Sequence, residues 1–243
     1  LAKSAARPQP AALDTQKEAE RWCGERAIDT PEAIANLTEM SMPESVRTKF
    51  RDALVEARLA ATRCPVKMGG AADLDLLYWL AEHLQAKRVI ETGVGYGWSS
   101  LILLLSLAKR DGAMLISTDR PYPNRNNDAY VGCIVPAELR SRWRIVNYAD
   151  HEALPRALQQ LPTIDLCHYD SGKSCAARMW AYPRLWQALR PGGCFVSDDV
   201  GDNLAFHDFC RQVNAESIIV RTAFDFSSTL VPGAARSFFN VGT

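Results

Sequence analysis

The chain has 243 residues, long enough for one α/β domain with an added helical segment. Its 28 basic and 28 acidic side chains cancel, which leaves no general field for nucleic acid, and 47% hydrophobic residues fit a folded globular protein. The longest strongly apolar helix candidate, Leu101 to Ala108, runs into Lys109, Arg110 and Asp111 and is too short to span a bilayer, so neither a membrane nor a nucleic acid is an expected partner.

Residues 1–12, with two prolines among small and basic residues, read as a mobile arm, and apolar spacing from Thr15 to Trp22 and from Glu44 to Thr62 predicts amphipathic helices. Pro43 stands at the start of the second. Together they make a division into an N-terminal arm and helical cap, residues 1–64, and a main domain, residues 65–243. After the RCPVKMGG break come a helix from Ala71 to Leu84, a strand from Arg88 to Glu91, a glycine turn and a helix. A second strand, Met114 to Thr118, ends in Asp119, and residues 121–137 form a polar, proline-containing excursion whose Arg125, Asn126, Asn127 and Tyr130 are candidate acceptor contacts or hydrated loop.

RWRIVNYAD, IDLCHYDSGK and GGCFVSDDV each read as an apolar strand ending in polar chemistry, joined by helices at Glu152 to Gln160 and Cys175 to Leu189. ESIIVRTAF and RSFFNVG read as two last strands whose short connection predicts an antiparallel hairpin at the sheet edge. The seven cysteines are widely spaced, without a CxxC pair, and Cys167 and Cys194 fall in expected central strands, where a free thiol packs as a small hydrophobe. With no secretory pattern at the start, cytoplasmic residence is the default expectation; residues preceding Leu1 stay open.

The run from Val89 to Lys109 carries the most chemistry. Gly93, Gly95 and Gly97 permit a left-handed or closely approached backbone, and the start of the next helix offers N–H donors, an arrangement suited to a nucleotide-like cofactor. The spacing is GxGxG, and Trp98 stands where a dinucleotide fingerprint has its third glycine; Glu91, just before the turn, repels phosphate and suits an ammonium or hydroxyl group. A nicotinamide-linked oxidoreductase is therefore disfavoured.

In a doubly wound sheet the crevice lies beyond the carboxyl ends of the strands, which gathers Glu91, Asp119, Asp150, Asp170 and the Asp198–Asp199 pair. Asp119 can accept from two ribose hydroxyls. Asp170, Asp198 and Asp199 offer hard oxygen ligands suited to magnesium or another divalent cation, with Asp202 and Asn203 as further ligands; capping of helices is the competing reading. His168 and His207 are competing acid/base candidates beside Lys173.

In this order ETGVGYGWSS, Asp119 at the end of STD, NYAD with Asp150, HYDSGK and SDDV resemble the landmarks of class I S-adenosylmethionine-dependent methyltransferases, and more narrowly the cation-dependent small-molecule O-methyltransferases, over roughly Pro65 to Val200. The resemblance implies a Rossmann-like sheet with helices on both faces, S-adenosylmethionine as methyl donor, a divalent cation and a small-molecule hydroxyl acceptor. It implies donor contacts at Met68, Gly69, Glu91, Gly93, Gly95, Ser99, Asp119, Ala149, Asp150 and Asp170, cation ligands at Asp170, Asp198 and Asp199, and Lys173, three residues past Asp170, as general base. The catechol and caffeoyl-type enzymes of animals and plants have Asp–Asn where this chain has Asp198–Asp199. A metal-independent N- or O-methyltransferase and a noncatalytic small-molecule-binding protein are the alternatives, and a homodimer stays open.

Overall fold

A computed structural model describes residues 10–120, 122, 127–221 and 235–240. In chain order the elements are α1 (Pro10–Gly24), β1 (Ala27–Ile28), α2 (Thr30–Thr38), α3 (Val46–Lys49), α4 (Arg51–Arg63), α5 (Leu74–His83), β2 (Arg88–Thr92), α6 (Trp98–Leu107), β3 (Met114–Asp119), β4 (Trp143–Asn147), α7 (Asp150–Gln160), β5 (Ile164–Tyr169), α8 (Cys175–Ala188), β6 (Leu189–Ser197), α9 (Ala205–Val213), β7 (Ser217–Arg221) and β8 (Ala235–Asn240). They build one eight-stranded sheet of order β1-β7-β8-β6-β5-β2-β3-β4. The order reverses beside β2, which pairs in parallel with both β3 and β5, so the crevice of an α/β sheet opens at the β2 turn.

Alternation along the strands divides the core into two layers. Val89, Leu115, Leu166 and Val196 face the layer containing α5 and α6. Ile90, Ile116, Cys167 and Phe195 face the layer containing α7, α8 and α9. α6 is buried along nearly its whole length, and Trp98 opens it inside the core, which is why no third glycine is needed there.

The expected antiparallel hairpin at the sheet edge is corrected by the topology. Both ends of the sheet are closed by parallel pairs, β1 with β7 and β3 with β4. β8 lies inside the sheet, between β7 and β6 and antiparallel to both. Two short apolar runs close in sequence made a hairpin the economical reading. The two residues of β1 carry no strand signal of their own, yet they take the outer edge of β7. Residues 222–234 and 241–243, into which the two runs extend, lie outside the described residues, as do residues 1–9 of the expected arm.

The helix expected from Glu44 to Thr62 is broken in two. Ser45 caps α3 by accepting from the Arg47 amide, and Phe50, at φ −120° and ψ 35°, leaves helical geometry before α4 begins. α2 was unmarked by its weak periodicity, although it has a full start signal: Asp29 accepts from the Glu32 amide and a proline occupies the first turn. Ala33, Ile34, Val46, Leu54 and Ala57 from these N-terminal helices share a core with α5 and α6.

Candidate active site

The glycine turn is shaped by close backbone approach. Gly93 has φ +83°, and a Cβ there would lie 2.3 Å from the Asp170 carbonyl oxygen, so any side chain would separate the β2 turn from the end of β5. The Gly93 amide donates to the Thr118 carbonyl at 2.8 Å and the Asp170 amide to the Thr92 carbonyl at 2.8 Å, which locks the ends of β2, β3 and β5 together. Gly97, at φ +97°, meets Gly132 of the following excursion in the same way, with 3.0 Å to its Cα.

Asp119, at the end of β3, accepts the amides of Val94 at 2.7 Å and Gly95 at 2.9 Å, both on Oδ2. Burial raises its pKa, with the two amide bonds opposing that shift. Met68 is buried and, with Gly69, lies against Gly95, which brings the segment before α5 to the turn. Asn127 donates to the Met68 sulfur at 3.8 Å and accepts from the Tyr122 amide at 2.6 Å, so it is buried scaffolding of the excursion. Arg125 and Asn126 lie outside the described residues. Ala149 is the N-cap of α7, and Asp150 in its first turn accepts from the Ser171 hydroxyl at 2.6 Å, whose oxygen lies 2.9 Å from the Thr92 hydroxyl. Ser99 is buried in the first turn of α6.

Glu91 is fully buried. Its Oε2 accepts from Ser100 at 2.5 Å and Ser117 at 2.7 Å, and Trp143 donates through Nε1 to Ser117 at 2.8 Å. It therefore braces the first turn of α6 from beneath. On the other side stands His168, with Nδ1 3.6 Å from Glu91 Oε1 and Nε2 3.6 Å from Asp198 Oδ2. Burial disfavours an imidazolium here, but the Asp198 and Glu91 carboxylates outweigh it and hold the ring up to about 10.

Lys173 forms a close ion pair with Asp170 and a second with Asp199 at 2.7 Å. Burial lowers its pKa, yet the charges of Asp170 and Asp199 prevail and hold the ammonium above its usual range. Burial and the Asp198 charge push the Asp170 carboxyl up to about 6 against the opposing Lys173 and His168 charges. Asp199 takes φ +53°, a left-handed turn that aims it at Lys173, away from His168. The three side chains whose ligand atoms converge are His168, Asp170 and Asp198, all within 4.8 Å of one another. Asn203 donates to the Lys173 carbonyl at 2.8 Å and Asp202 lies 3.6 Å from Arg178, so both brace the loop.

Sequence reasoning overlooked Arg178. It is fully buried in α8 and donates through Nη2 to the Asp199 carbonyl at 2.8 Å and the Asp198 carbonyl at 3.3 Å, fixing the turn that carries both carboxylates. Nothing in CAARMWAYPRLW distinguishes this arginine from a solvated one. Of the other histidines, His207 pairs with Asp208 at 2.9 Å and packs on Trp22, and His151 packs on Trp180. Cys167 and Cys194 are buried free thiols, and burial pushes Cys194 up to about 12, in keeping with packing roles. No helix among the described residues is long and apolar enough to cross a membrane.

The chemistry of the donor set suits the groups that the fold implies: a glycine cradle that a Cβ would fill, a carboxylate holding that cradle, and a buried nitrogen and two carboxylates for a cation. The family model described as a methyltransferase domain matches residues 90–200. No curated protein matches the sequence. Among solved structures, the chain is similar to the O-methyltransferase from Bacillus cereus in complex with SAH, at 14% identity over 90% of this chain and 99% of that one, TM-score 0.56. It is similar to the O-methyltransferase TomG from Streptomyces achromogenes, involved in tomaymycin synthesis and solved with SAM, at 18% identity over 93% and 99%, TM-score 0.58. At these identities the likeness is one of fold. Residues 90–200 thus match a methyltransferase-domain family model, and the chain as a whole shares the fold of these O-methyltransferase structures.

Proposed function

We propose that the protein transfers a methyl group from S-adenosylmethionine to a hydroxyl of a small molecule with the help of a divalent cation. The observation that carries this reading is the juxtaposition of the Asp119-held glycine turn with Asp170 and Lys173 across the close backbone approach at Gly93. In this reading a donor cradle and an acid/base pair occupy adjoining strand ends. The similar B. cereus and S. achromogenes proteins, each an O-methyltransferase, support the same class of reaction. Residues 65–243 are the proposed transfer domain, with residues 1–64 as arm and helical cap.

In this reading Gly93, Gly95, Met68 and Gly69 surround the methionine end of the donor, and Ser99 lies at the start of α6. Glu91 acts through Ser100, as a positioning residue. Asp119 offers Oδ1 to the ribose while Oδ2 keeps the turn closed, and Ala149 and Asp150 border the adenine. The bound donor supplies an electrophilic methyl on a sulfonium, so the chain has only to align the acceptor oxygen in line with it and take up a proton.

Lys173 is the proposed general base, under one condition. Its proton is held by Asp170 and Asp199, so it becomes an acceptor only when Asp170 turns its charge toward a cation and the Asp199 pair also opens, leaving burial to favour the neutral amine. A cation at Asp170 and Asp198 would polarise the acceptor hydroxyl. The test is calorimetric titration of the cofactor-free protein with S-adenosylmethionine, with and without a divalent cation and with NAD as control, followed by turnover of hydroxyl acceptors. Specific donor binding and cation-dependent turnover are expected. A folded protein that binds no donor overturns the reading.

A further inference from the structure

A row of polar side chains crosses the buried face of the sheet beside this crevice. Glu91 is the register partner of Ser117 on one side and of His168 on the other, and Asp198 follows two residues after Val196, the partner of His168. Glu91, His168 and Asp198 have 0%, 0% and 3% exposure. A buried imidazole ordinarily has hydrogen-bonded partners, yet among the described residues neither ring nitrogen of His168 has one within hydrogen-bonding distance, and the same holds for Glu91 Oε1.

The 3.6 Å between His168 Nε2 and Asp198 Oδ2 is too long for a hydrogen bond. It is close to the separation of two atoms that share one tetrahedral metal, about 3.4 Å for bonds of about 2.1 Å. Asp170 completes the group at the exposed end of β5, where its side chain is 29% exposed and opens a way in. It meets Lys173 through Oδ1, which leaves the other oxygen to turn inward. The carboxylate of Glu91 on the far side of the ring is the partner that an imidazole ligand uses to fix its tautomer and orientation.

We propose that this chain binds a divalent transition metal through Nε2 of His168 and one carboxylate oxygen each of Asp170 and Asp198, with Glu91 orienting the ring through Nδ1. The inference rests on the cation-assisted reading of the crevice and changes its chemistry. One imidazole with two carboxylates favours manganese, iron(II), cobalt or zinc over magnesium, which prefers oxygen alone. Asp199 then serves Lys173 and is not a ligand.

The test loads the protein with Mn2+ and looks for electron spin-echo modulation from a coordinated imidazole nitrogen, with metal content measured after dialysis. One metal per chain with nitrogen modulation is expected, together with tighter binding of Mn2+ or Co2+ than of Mg2+. Bound Mn2+ without nitrogen modulation overturns the proposal, as does failure to retain Mn2+ in a protein that binds S-adenosylhomocysteine. His168→Asn is expected to lose at least tenfold in Co2+ affinity while keeping donor affinity, and Glu91→Gln to lose 10–100-fold in Co2+ affinity. Unchanged Co2+ affinity in both variants overturns it as well. Nitrogen-ligated metal in a protein that binds no donor would instead overturn the methyl-transfer reading and leave the metal site standing.

Discussion

At Asp119 a single carboxylate oxygen closes the glycine turn through two amides, so the residue shapes the cradle even before a donor enters. Asp119→Ala removes a charged acceptor from both amides and from the proposed ribose contact. Donor affinity is expected to fall about tenfold to hundredfold, read by calorimetry, and an unchanged Kd would remove the residue from the cradle. Lys173 makes a different prediction, because it lies beyond the cradle and is held by Asp170 and Asp199. Lys173→Ala should lower single-turnover methyl transfer to a hydroxyl acceptor about hundredfold or more and leave donor affinity intact. Turnover at the parent rate would end its role as base.

Among the elements, the anchor opposite the crevice is Asp165 at the start of β5. It accepts from the Lys87 amide at 2.9 Å, the Arg88 amide at 2.8 Å, the Arg88 side chain at 2.9 Å and Arg190 at 2.8 Å, tying the beginnings of β2, β5 and β6. Burial pushes the carboxyl up, but the Arg88, Lys87 and Arg190 bonds together outweigh it and bring the pKa from 3.8 to about 2. A depressed folded-state pKa contributes stability that is present above the unfolded value and is lost as pH falls through about 2. Asp165→Asn should therefore cost about 2 kcal/mol at neutral pH, with the two proteins converging in acid. Parallel denaturation curves down to the lowest pH would refute that assignment. Strands β2 to β6 were legible because each is an apolar run ended by polar chemistry, and Asp119, Asp150, Asp170 and Asp198 stood out at those ends. What was hidden depends on neighbours remote in sequence. The break at Phe50, the burial of His168 between two carboxylates and the hold of Arg178 on the Asp198–Asp199 turn leave no local pattern.

Across the whole molecule, the N-terminal segment does more than cover the domain. β1 pairs with β7 at the outer edge, and α1 packs against the turn and helix that follow Asp199, with Glu20 beside Gly201 and Trp22 against Phe206 and His207. A heptad or strand pattern could not announce this, since β1 is two residues long and takes its structure from the edge it covers. The same turn is held from inside by Arg178 and carries Asp199, the partner of Lys173. Helix α1 and the proposed reactive end of the sheet thus share one loop, whereas the proposed donor cradle is built from β2, β3 and residues 68–69. Trp22→Ala should separate the two. Trp22 is half-buried, so its loss is expected to cost about 2 kcal/mol, below the ~3–5 kcal/mol of a fully buried ring. That corresponds to a fall of about 6 °C in Tm by calorimetry for a chain of this size. Turnover should decline while donor Kd holds, because only the Asp199 side of the crevice loosens. Equal losses in donor binding and turnover would mean that α1 supports the cradle as well, and the division of the crevice into a donor half and a reactive half would fail.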